Sequence, residues 1–160
     1  MTTFTDNAGR TWSLTINVDA IKRVRGLLDM DLLQAVDGQL LERLITDPVT
    51  LCDIVYALCK PQADTKNVSD EDFGRSMAGD AIDQATTALL EELVGFFPQA
   101  RRAVLRKALT KLRTLEAKVL AEATRRIDSD EIDKMIEKEL KSAVEPSTSS
   151  PGSSASTPGP

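Results

Sequence analysis

The chain has 160 residues, 41% of them hydrophobic but only 4% aromatic, so one compact domain would be built on Leu, Ile, Val and Ala, which suits helices better than a large sheet. A net charge of −5 weighs against general phosphate binding, and the absence of histidine removes the commonest general base and metal ligand. No run of eighteen apolar residues forms a membrane span and the N-terminus lacks the basic and apolar regions of a signal peptide, so a cytoplasmic protein is expected.

Asp6, Asn7 and Gly9 make a turn signal, and Trp12, Leu14 and Ile16 then alternate with polar residues. This predicts a small N-terminal β-hairpin whose apolar face packs on helices or extends a partner's sheet. Asn17 caps a helix carrying Val18, Ile21, Val24, Leu27 and Leu28, weakened near its end by Gly26. Turn and acidic residues from Asp29 to Gly38 interrupt the pattern, and Gln39 to Ile45 makes a short helix with Leu40, Leu41 and Leu44. Asp47 before Pro48 is a strong helix start, because the carboxylate caps free N–H groups where proline lacks one.

The helix that follows is predicted to run to about Lys60 and to be central, with Leu51, Val55 and Leu58 on one stripe beside Cys52, Tyr56 and Cys59. At helical rise the two cysteines lie about 10.5 Å apart, too far for a disulfide, so both are expected to be thiols. Pro61 is read as its end and Gln62 to Val68 as a polar loop. Ser69 with Asp72 forms a capping-box variant for a short helix burying Phe73 and Met77. After Gly79, Ile82, Ala85, Leu89, Leu93 and Phe96 repeat at helical spacing up to Pro98.

Beyond Pro98 the charge changes sign. Residues 1–98 carry net −8, 99–126 net +7 and 127–160 net −4. The basic helix 99–126 bears Arg101, Arg102, Arg106, Lys107, Lys111, Arg113, Lys118, Arg125 and Arg126, with a seam of Val104, Leu105, Leu109, Leu112, Leu115 and Val119. Its charges either pair with acidic segments, within the chain or between copies, or face a partner. Asp128 with Glu131 caps a last helix with Ile132, Met135, Ile136 and Leu140. The final stretch 146–160 contains only Pro, Ser, Thr, Gly and one Ala, a disordered composition. The expected organisation is therefore mainly α: a helical domain 1–98 with an N-terminal hairpin, a charged helical extension 99–145 and the 146–160 tail.

Side chains arranged for catalysis are not apparent. Carboxylates cluster at Asp70, Glu71, Asp72 and at Glu91, Glu92, where capping or solvation accounts for them. Asp29, Asp31 and Asp37 lack the glycine and glutamate of a calcium loop, and there is no glycine-rich phosphate loop. No catalytic group, cofactor, metal or small-molecule substrate is expected. The adjacent Phe96 and Phe97 face about 100° apart, so either both are wrapped by core or Phe97 joins Arg101 and Arg102 as an anchor for a partner, continued by Leu105, Leu109 and Leu112.

The ribbon with Trp12, the Asp47-Pro48 helix closing in Leu58-Cys59-Lys60-Pro61, the Ser69-Asp70-Glu71-Asp72-Phe73 box and the Phe96-Phe97-Pro98 stop resemble the tail assembly chaperones of long-tailed phages, proteins also encoded in prophages and gene transfer agents. The likeness covers about residues 4 to 105 and consists of caps and apolar positions, with no binding residue to carry over. It implies a non-catalytic protein of the host cytoplasm, absent from the mature virion, that associates with the tape measure protein and assists tail tube assembly. In that family a frameshift can append a longer C-terminus. The alternative is a helical regulator or adaptor that binds nucleic acid or protein through helix 99–126, although the acidic pI near 4.8 opposes nucleic acid. Self-association through the seam and the opposed charges is also expected.

Overall fold

A computed structural model describes residues 1–144 and Gly159. The architecture is mainly α with a two-stranded antiparallel hairpin at the N-terminus. Strands β1 (Thr2–Thr5) and β2 (Thr11–Leu14) precede α1 (Val18–Leu28), a 3₁₀ helix (Leu32–Asp37), α2 (Gln39–Thr46), α3 (Pro48–Lys66), α4 (Asp70–Arg75), α5 (Asp80–Phe96), α6 (Gln99–Ile127) and α7 (Asp130–Val144). The chain divides into two compact units, Met1–Leu115 and Glu116–Pro160, and α6 contributes to both. The proposed tail at 146–160 lies outside the described residues apart from Gly159.

The hairpin turn is built by one side chain. The Asp6 carboxylate accepts from Ala8 N at 3.0 Å, Arg10 N at 2.9 Å, Arg10 Nε at 2.7 Å and Trp12 Nε1 at 2.9 Å, while Gly9 takes φ 76° and donates to the Asp6 carbonyl. The Asp6 side chain is fully buried. Four aromatics converge beneath this turn: Phe73 meets Trp12 edge-on at 5.2 Å, Phe4 at 6.5 Å and Tyr56 at 5.4 Å. With so few aromatic residues in the chain, they form a single cluster between hairpin, α3 and α4.

Helix α3 is the central element, packing on α1, α2, α4, α5 and β2. Asp47 caps it through Val49 N and Thr50 N, both at 3.1 Å. The expected end at Pro61 is overturned: α3 continues to Lys66, and most of the supposed polar loop is helical. Proline forfeits its own N–H bond and crowds the Ala57 carbonyl one turn back, but does not bar the residues that follow from helical geometry. The next turn is held by contacts outside the helix: Ala63 is buried, Gln62 bonds β2 through Ser13, and Arg23 Nη1 donates to the Leu58 carbonyl at 3.1 Å. Asn67, at φ 52°, then closes the helix.

Other differences are local. In α1, Ala20, Ile21 and Val24 are buried on one face while Val18 and Leu27 face solvent. The interruption at Asp29–Gly38 contains the 3₁₀ helix, capped by Asp31 and tied to α1 by the 2.8 Å Arg25–Asp31 ion pair. Helix α5 buries Ala81, Ala85 and Ala88 against β1, small residues that let strand and helix approach closely. Cys52 and Cys59 are free thiols, and burial pushes the Cys59 thiol up to about 12 despite the opposing charge of Arg23.

Candidate functional site

The expected partner surface was Phe96, Phe97, Arg101, Arg102, Leu105, Leu109 and Leu112. The structure brings these residues together, but mostly as a joint between α5 and α6. Phe97 is 2% exposed and Leu105 is fully buried, so neither is an exposed anchor. Phe96 stacks edge-on against Phe97 at 5.4 Å and, with Leu109 and Leu112, is partly buried against the core. The chain turns at Pro98, and the extended Phe97 swings its ring inward where a continued helix would have placed it about 100° from Phe96.

Arg102 completes the joint. Its Nη2 donates to the Gly95 carbonyl at 2.9 Å and the Phe97 carbonyl at 3.2 Å, and Nε also reaches Phe97 at 3.3 Å. These oxygens stand at the end of α5 without helical partners, so a cation there is stabilising. Of the expected set, Arg101 alone is exposed.

The expected seam splits in two. Leu105, Leu109 and Leu112 turn toward the core of the first unit, whereas Val104 and Leu115 are more than half exposed. The split follows from α-helical spacing, since a stripe inclined to the contact line leaves it after a few turns. In the second unit Val119, Leu120 and Ile127 are exposed on α6. Helix α7 begins at Asp130 after Ser129, whose Oγ donates to the Arg126 carbonyl at 2.7 Å.

On α7, Ile132, Met135, Ile136, Leu140 and Val144 recur at three- and four-residue intervals along one face. Ile132 is half-buried and the other four are 53% to 77% exposed, so an apolar stripe on a charged helix has no cover among the described residues. The sequence periodicity had revealed this stripe, but nothing in it distinguished a covered face from an open one.

The basic helix is mostly unpaired. Arg125 and Arg126 bind Glu122 at 2.8 and 3.3 Å, and these contacts hold the Glu122 carboxyl below its usual range. Arg101, Arg106, Lys107, Lys111, Arg113 and Lys118 make no ion pair among the described residues. Among the described residues the ion pairs of these cations are the two to Glu122, within α6 itself.

Depressions on the first unit are shallow. One of about 300 Å³ is lined by Asp29, Met30, Asp31, Gln34, Gln39, Leu40 and Arg43. Another, of about 200 Å³, is lined by Leu27, Leu28, Tyr56 and Ala57 with Asp53, Lys60 and Asp70. Burial, followed by the charges of Asp70 and Asp47, raises the pKa of Asp53. No group of three or more His, Cys, Asp or Glu stands ready to hold a metal among the described residues, and none of the described helices is long and apolar enough to cross a membrane. The chain matches no protein-family model, no curated protein and no solved structure.

Proposed function

We propose that this chain is a non-catalytic assembly chaperone of the kind long-tailed phages encode, which holds the helices of a tape measure protein and assists tail tube assembly in the host cytoplasm. The observation that carries the reading is the open apolar stripe of α7, Met135, Ile136, Leu140 and Val144, on a helix otherwise lined with charge. Exposed apolar stripes on amphipathic helices suit the apolar faces of partner helices, and a helix without buried residues gains most of its stability when such a partner covers it. The capped body positions α6, and the cations of α6 add electrostatic attraction to acidic helices.

The test is co-expression with a tape measure protein of a long-tailed phage. We expect the unaltered chain to keep that protein in the soluble fraction and the double variant Ile136→Glu, Leu140→Glu to leave it in the pellet. An identical pellet with and without the unaltered chain would exclude the reading.

The unpaired cations of α6 favour a second reading, a regulator or adaptor that binds nucleic acid. Retention on DNA or RNA that falls steeply with salt, and is lost on reversing Arg101, Arg102, Arg106 and Lys107, would support it. No retention at low salt would dismiss it.

A further inference from the structure

The two edges of the hairpin are treated differently by the rest of the fold. Along β2, Ser13 N donates to Gln62 Oε1 at 3.0 Å and the Ser13 carbonyl accepts from Gln62 Nε2 at 2.7 Å. The Thr11 carbonyl accepts from Lys66 Nζ at 3.3 Å. One side-chain amide thus takes the place of a third strand's peptide group, and a lysine guards the next free carbonyl.

The register transfers this geometry to the other edge. Ser13 pairs with Thr3 and Thr11 with Thr5, and because Ser13 and Thr11 turn their main-chain groups toward α3, these are the non-hydrogen-bonded pairs of the ladder. The N–H and C=O groups of Thr3 and Thr5 consequently point away from β2. No hydrogen bond reaches them among the described residues. Strand β1 carries no lysine, proline or bulge to protect that edge.

Beside the open edge runs a groove of about 330 Å³, lined by Thr2, Thr3, Asp83, Gln84, Thr87 and Ala88. Ala88 is buried at its base, and the Gln84 amide and Thr87 hydroxyl stand exposed on its α5 wall. Asp83 is the only ionised side chain in the lining, and no cation opposes it. A second copy paired edge to edge would offer a β1 with no basic side chain, whose adjoining Met1 ammonium is already bound to Glu92 at 2.7 Å, and would bring in another Asp83. Charge complementarity therefore favours a foreign segment.

We propose that the free edge of β1 over α5 is a docking site for an extended segment of a partner protein, which adds a third strand to the hairpin and sets a lysine or arginine against Asp83. Backbone bonds to Thr3 and Thr5 supply the register, Gln84 meets the segment's peptide groups as Gln62 meets those of β2, and Asp83 selects the charge. The assignment is independent of the chaperone reading, since it involves neither α6 nor α7.

The experiment uses the full chain, isotope-labelled, with the acetylated and amidated peptide Lys-Thr-Val-Thr-Val-Lys as probe. We expect the Thr3 and Thr5 amides to exchange at least about tenfold more slowly with the peptide present. The effect should vanish when the peptide's alternate amides are N-methylated. It should also vanish in Thr3→Pro, which removes an outward N–H that no β2 bond uses. Asp83→Lys should weaken the lysine peptide and strengthen one with glutamate at both ends. No protection by any peptide, or protection that survives N-methylation, overturns the proposal. So does concentration-dependent protection without peptide, which would mean that a second copy fills the edge. Should Thr3→Pro fail to fold, as circular dichroism would reveal, the N-methylated peptides decide the question on the unaltered protein.

Discussion

Asp6 shows how much one side chain carries in this fold. Its burial acts to raise the pKa, but hydrogen bonds from Trp12 and Arg10, with the charge of Arg10, outweigh that and hold the carboxyl below its ordinary value of 3.8. Asp6 therefore contributes stability that is fully present above the unfolded-state pKa and is lost as pH falls through the lowered native one. Asp6→Ala leaves Trp12 Nε1 and Arg10 Nε without their acceptor, and we expect a loss of about 3 kcal/mol in chemical denaturation at neutral pH, smaller in strong acid. Asp53 has the opposite sign. Its carboxyl is raised by burial and by Asp70 and Asp47, so it costs stability that sets in as pH rises through the ordinary unfolded-state value and is complete above the raised native one. Asp53→Asn should raise the melting temperature by about 1 °C at pH 7, because the site is exposed, and should give no gain below the ordinary value. Equal melting curves at pH 7 would show that Asp53 does not feel its acidic neighbours.

Pro61 is the informative residue among the helices. Interior proline costs roughly 3 kcal/mol in a helix, partly offset by the stiffness it lends the unfolded chain, so Pro61→Ala should stabilise the protein by about 1 to 2 kcal/mol. A loss of stability would mean that the distorted turn is needed to place Gln62 and Lys66 on β2. The α1 cap is a simpler case: Asn17 accepts from Ala20 N at 2.9 Å, and Asn17→Ala should cost about 1 kcal/mol by urea denaturation. Both caps and periodicity were legible in the sequence, because a cap is a local bond between neighbours. The continuation past Pro61 was not, since the contacts that hold Gln62 and Ala63 come from β2 and the core.

For the molecule as a whole, the contrast lies between a body with a continuous aliphatic core and a helix, α7, with no buried residue. An isolated helix of 15 residues is marginal in water. Amides of α7 should exchange far faster than those of α3 and α5, and limited proteolysis should cut within Glu116–Val144 before it cuts the body. Persistent protection of α7 in the free chain would mean that a second copy already covers its stripe. A light-scattering mass would then exceed that of one chain and fall in Ile136→Glu.

Local rules in the amino-acid order were enough to specify the helix starts, the hairpin and its turn, the aliphatic character of the core and the alternation of charge along the chain, since each depends on residues within a few positions of one another. Which apolar residues are covered depended on distant packing. Phe97, Leu105 and Leu109 looked like a partner surface until the turn at Pro98 folded them into the core, while the equally apolar residues of α7 stayed open. The unequal hairpin edges arose in the same way, because Gln62 and Lys66 come from a helix far along the chain and their direction was set by how α3 lies against β2.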